Sequence, residues 1–115
     1  MIEIEGIDYN EVKNRLMCDE ETVCDIIKAF RMDVGEKYKK IRLEKDDENF
    51  VTLAHGIKGA CANVGAQKCM ELAKTLELKA RSEGRIECNY ELAMLSIKLC
   101  DLFDSIDAYF KTTDK

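Results

Sequence analysis

His55 is the only histidine in the sequence and the side chain best suited to chemistry. A free imidazole titrates near 6.5, so around pH 7 it is mostly neutral and nucleophilic without a separate base. Lys58 follows at i+3 and Gly59 at i+4, so a helix would carry all three along one side. Helical side chains lean toward the N-terminus, so a side chain at 59 would cover the imidazole. Gly59 removes that cover, at a cost of about 0.5–1 kcal/mol relative to alanine inside a helix. Ala62 extends the same clear face. One imidazole is too few ligands for a metal site. The six cysteines show no C-x-x-C pair and no zinc-finger spacing, and they read as buried small hydrophobes.

Helices must position these groups, and the composition favours them. The chain has 115 residues, 46% of them hydrophobic and 36% charged, with no proline at all. Proline lacks an N–H and clashes with the preceding helical turn, so its absence suits unbroken helices. Asp8 and Glu11 make a capping-box pattern that opens a short helix ending near Met17. Asp19 can cap a long second helix whose apolar stripe is Val23, Ile26, Ile27, Phe30, Val34, Tyr38 and Ile41. The third runs from about Asp47 to Val64, with Phe50, Ala54, Ile57, Cys61 and Val64 facing inward and Gly65 as a left-handed terminator. Ile57 lies ~200° around the helix from His55, which therefore points outward. A fourth helix carries Cys69, Leu72, Leu76 and Ala80 and stops before Gly84. A fifth starts near Asn89 and carries Leu92, Leu95, Leu99, Leu102, Phe103, Ile106 and Phe110. The expected fold is all-α, an antiparallel up-down four-helix bundle with a short N-terminal capping helix, in one domain spanning 1–115.

Charge narrows the function classes. The net charge of −5 argues against a duplex-binding surface, which needs a concentrated basic stripe. No uncharged stretch approaches the ~20 residues that span a bilayer. The acidic N-terminus, Met1-Ile2-Glu3-Ile4-Glu5, is unlike a secretory signal. These features lead to the expectation of a soluble, cytoplasmic, free-standing monomer that binds neither nucleic acid nor membrane.

A longer pattern surrounds the histidine. The run Ala54-His55-Gly56-Ile57-Lys58-Gly59, then Asn63-Val64-Gly65, Leu72, Leu76-Glu77 and Gly84, resembles the histidine-containing phosphotransfer (HPt) family. Its signature is an A-H-x-L-K-G helix, a V-G turn and a helix bearing L-E. Gly6-Ile7-Asp8, Arg15, Asp19 and Phe30 are similar to the opening segment of many bacterial HPt domains, so the resemblance covers nearly the whole chain. Ile57 stands where leucine is usual and Cys18 where glycine is common; neither touches the reacting group.

The resemblance implies a phosphocarrier without kinase activity of its own. His55 would accept a phosphoryl group from an aspartyl phosphate on one receiver domain and pass it to another. The partners would be receiver domains of a hybrid sensor kinase or of response regulators. Lys58 would offset the phosphoryl charge, and Glu77 would orient the imidazole or else be an ordinary solvated glutamate. Thr52, Gly56, Gly59, Ala62 and Asn63 would form the docking flank. No cofactor of its own is expected, Mg²⁺ residing on the receiver. A kinase dimerisation domain is the nearest rival, but its histidine is typically followed by an acidic residue and then a proline, whereas Gly56 follows here. Two other classes stay open on composition: a helical adaptor with an incidental histidine, and a thiol-based redox or metal-binding bundle using Cys61 and Cys69.

Overall fold

The computed structural model describes residues 2–113, which form five α-helices and no strand. They are α1 (Tyr9–Leu16), α2 (Glu20–Leu43), α3 (Asp47–Asn63), α4 (Gln67–Glu83) and α5 (Asn89–Thr113), with a 3-10 turn at Arg85–Cys88 between the last two. None of these helices is long and apolar enough to cross a membrane.

Aspartates start the first three helices. Asp8 accepts from the Glu11 amide at 3.0 Å, Asp19 from Thr22 at 2.8 Å and Asp46 from Asn49 at 2.9 Å. Each bond satisfies an amide that the helix itself leaves without a partner, worth about 1 kcal/mol. The capping box expected at Asp8 is only half built. The Glu11 carboxylate pairs with Arg15 instead, and the Asp8 amide donates to Gly65 O at 3.1 Å.

The α3–α4 connection fixes how the two central helices meet. Gly65 adopts φ +67°, the left-handed conformation expected of it. The Ala66 amide reaches back to Cys61 O at 2.9 Å and the Gly65 amide to Ala62 O at 3.3 Å. This pair of bonds is a Schellman motif, which satisfies the last carbonyls of α3 and lets α4 begin two residues later. Arg15 of α1 adds a hydrogen bond to Ala62 O at 2.7 Å, so α1 is tied to this turn.

The stripes read from periodicity form the core. Val23, Ile27, Phe30, Val34 and Ile41 of α2 are buried with Phe50, Ala54, Ile57 and Cys61 of α3. Leu95, Leu99, Leu102, Phe103 and Ile106 of α5 join them. α3 packs most extensively on α4, while α2 contacts α3, α4 contacts α5 and α5 contacts α2. Several buried residues lie outside those stripes, among them Val12 of α1 and Ala73 of α4. Ile2 and Ile4 of the acidic N-terminal segment are inserted into the core while Glu3 and Glu5 face out.

A Cβ on Gly65 would be both strained and crowded, lying 2.9 Å from Asp8 O. Gly65→Ala should therefore destabilise the fold by about 1–3 kcal/mol, read as a lowered urea midpoint. A midpoint equal to the parent's would show that this turn does not anchor the N-terminal segment.

Candidate functional site

Helix α3 turns Ala54 and Ile57 completely inward, and His55 between them faces outward with its side chain 61% exposed. The decisive neighbour comes from α4. Glu77 occupies a core position on that helix, in line with Ala73, Leu76 and Ala80, and its side chain is only 5% exposed. Its Oε2 lies 3.0 Å from His55 Nδ1. The imidazole is thus held at one nitrogen by a buried carboxylate while its body stands in solvent.

Two cations compensate that carboxylate. Lys58 Nζ lies 2.7 Å from Glu77 Oε1, and Arg81 donates to Oε2 at 2.7 Å from Nη2 and 3.3 Å from Nε. Burial pushes the Glu77 carboxyl up, but contacts with Lys58, Arg81 and His55 outweigh it and hold the group near 2. Glu77 is therefore ionised at neutral pH and can only accept hydrogen bonds. A neutral His55 must then carry its proton on Nδ1, which leaves the lone pair on Nε2. The network thus selects the tautomer of the neutral ring and leaves Nε2 without a proton.

The geometry brings His55, Lys58 and Glu77 together and settles the alternative for Glu77: it is buried and paired, not solvated. The charge of Lys58 is spent on Glu77 in this state, and its side chain is 28% exposed. Gly59 borders open space, for a Cβ there would have no neighbour within 4 Å. A methyl at 59 would thus not touch the imidazole; only a longer side chain could cover it. Thr52 and Asn63 are exposed, and Ala62 is half-buried with its carbonyl held by Arg15.

Gly56 differs from the bare surface expected. The stem of Lys37 from α2 crosses it, and a Cβ at 56 would come within 2.9 Å of Lys37 Cε. Arg81 and Lys37 were not singled out by the sequence pattern. Arg81 had a readable signal, its i,i+4 spacing from Glu77. Lys37 had none, since its position depends on how α2 packs on α3.

The chain matches the family model of the Hpt domain over residues 25–109. It belongs to the Hpt domain family. Hpt domains act in histidine phosphotransfer within two-component phosphorelays, as phosphocarriers rather than kinases. The matched span contains α3, α4 and every residue of the His55 network. Comparison with curated proteins and with solved structures gives no significant match.

The ionised Glu77 makes stability depend on pH. Its folded value of about 2 lies below the ordinary 4.5, so its stabilising contribution is complete above pH 4.5 and is lost as pH falls toward 2. Urea midpoints of the parent and of Glu77→Gln should differ most above pH 4.5 and converge toward pH 2. A gap that stays constant with pH would show that the charge on Glu77 is not what stabilises the site.

Proposed function

We propose that His55 Nε2 accepts a phosphoryl group from an aspartyl phosphate on one receiver domain and passes it to an aspartate on another. The observation that carries this reading is the 3.0 Å contact from Nδ1 to a buried, ionised Glu77 beneath an exposed ring. It leaves Nε2 of the exposed ring as the nitrogen that can act as nucleophile.

In the forward step the Nε2 lone pair attacks phosphorus in line with the leaving carboxylate. The P–O bond of the acyl phosphate breaks, and its electron pair returns to the receiver's aspartate. No proton needs to move. The product ring keeps its Nδ1 proton and becomes a phosphoimidazolium, whose positive charge Glu77 stabilises at the same contact. That charge also makes the ring a better leaving group for onward transfer. Lys58 is held to Glu77 Oε1 by an ion pair rather than a well-angled hydrogen bond, so its ammonium can pivot toward the phosphoryl oxygens.

Among the described residues no group of three or more His, Cys, Asp and Glu side chains could hold a metal ion. In this reading the Mg²⁺ that offsets charge in phosphoryl transfer belongs to the receiver's site. The receiver docks along Thr52, Gly56, Gly59, Ala62 and Asn63, beside a cleft of about 200 Å³ between α2 and α3 lined by Ile26, Ala29, Ala60 and Asn63. The proposal extends to architecture. The helix contacts α2–α3–α4–α5–α2 form a closed cycle with short connections, as in an antiparallel up-down four-helix bundle. It is read as one cytoplasmic, monomeric domain over 1–115, with α1 capping one end.

Incubation with a phosphorylated receiver domain tests the reading directly. Acid-labile phosphate should move onto the parent, and His55→Gln should receive none while keeping its helical circular dichroism. Lys58→Ala should slow transfer about five-fold, the equivalent of roughly 1 kcal/mol for a partly screened pair. Gly59→Ala should transfer normally and gain up to about 1 kcal/mol in stability, whereas Gly59→Arg should block docking. Phosphate arriving on His55→Gln would overturn the assignment.

A further inference from the structure

The phosphoryl chemistry gives no role to α2, yet one of its side chains reaches the helix that carries His55. The methylene stem of Lys37 lies across Gly56, the residue next to the histidine. A Cβ at 56 would come within 2.9 Å of Lys37 Cε and 3.3 Å of Cδ. The Lys37 ammonium pairs with Asp33 at 2.5 Å, one turn earlier on the same helix, and its side chain stays 31% exposed. An acid four residues before a lysine is the favourable order for such a pair, which holds the ammonium in place. A lysine ammonium has three donors, so Asp33 can orient it and leave donors for another acceptor.

Lys37 also divides a groove between α2 and α3. The cleft of about 200 Å³ beside Asn63 includes Asp33 and Ala60 in its walls. A second cleft, of about 470 Å³, is lined by Lys40 and Leu43 of α2 and by Thr52 and Leu53 of α3. Lys37 and Gly56 fall between the two clefts on their respective helices. Charge sets this face apart. The chain has 23 acidic residues, yet none falls between Asn49 and Met70. His55 is flanked by Lys58 on the side toward α4 and by Lys37 on the side toward α2. A receiver offers the complementary chemistry, since its aspartyl phosphate is anionic and Mg²⁺ is held by carboxylates and phosphate oxygens.

We propose that Lys37 is a docking residue for the receiver, donating to a carboxylate at the rim of the receiver's phosphorylation site. Gly56 gives its stem room to cross α3, and Asp33 holds its ammonium in reach. The inference rests on the receiver-to-histidine transfer proposed above and adds to it a cation from a different helix. Lys58 acts on the transferred group, whereas Lys37 acts on the approach of the partner. Charges at the rim of an interface govern encounter and choice of partner more than the chemical step. Lys37 therefore selects among receivers: one with a basic side chain opposite it loads His55 poorly even where its aspartyl phosphate is intact.

The test measures how fast phosphate moves onto the full chain over a range of phosphorylated receiver concentrations. Lys37→Met keeps an apolar stem over Gly56 and removes the charge. It should raise the half-saturating receiver concentration about five-fold and leave the maximal rate unchanged. The difference from the parent should close as salt rises from about 0.05 M to about 0.5 M. Lys37→Arg should restore half-saturation. Lys39→Met removes a charge that is 74% exposed on the α5 side of α2, and it should behave as the parent. A parent that accepts no phosphate refutes the transfer reading and this one with it. A parent that transfers while Lys37→Met matches it at every concentration refutes the docking role alone. So does a rise shared by Lys39→Met, or a loss confined to the maximal rate.

Discussion

A carboxylate taken out of water is costly unless charges and donors compensate it, and the site is organised around that constraint. Glu77 is the one buried charged side chain among the described residues, and Lys58, Arg81 and His55 all converge on it. Two of these partners come from α3 and one from α4. Moving α3 along α4 by one turn would strand the carboxylate without most of its compensation. The pairing that prepares the imidazole is thus also a registry device for the two helices that share the largest interface.

The Schellman turn makes that registry possible. His55 lies ten residues before Gly65 and Glu77 twelve after it, and the two meet across the helices. The left-handed glycine fixes how the helices leave the turn, and helical rise carries the register to that contact. Asp8 and Arg15 bond to the same turn, so the N-terminal segment supports the site without touching it.

What was legible in the sequence was local. The helices, the aspartate caps, the outward His55 and the positive φ of Gly65 all follow from spacing within a few residues. Ile2 and Ile4 were missed because their alternation with Glu3 and Glu5 spans too few residues to separate a buried segment from an acidic tail. The burial of Glu77 was ambiguous because a charge in an apolar stripe is ordinarily a boundary of that stripe. Its solution, a lysine from α3 and an arginine one turn on, exists only once the helices are packed. Lys37 over Gly56 is a matter of packing alone, since it depends on where α2 meets α3.

The charges of the network also suit the proposed reaction before any phosphate arrives. Glu77 contributes one negative charge, and Lys58 and Arg81 two positive ones, so the imidazole stands beside a net positive charge. The two cations are not equivalent. Arg81 is 56% exposed and its field is screened by water and salt, whereas Lys58, 28% exposed, acts through a less polar environment. Lys58 is also the cation on the histidine's own helix, one turn away. An incoming phosphoryl group therefore competes with Glu77 chiefly for Lys58, while Arg81 remains to hold the carboxylate ionised. On this division of labour Glu77 need never be left uncompensated. The Nδ1 contact that orients the ring can then persist through both halves of the transfer.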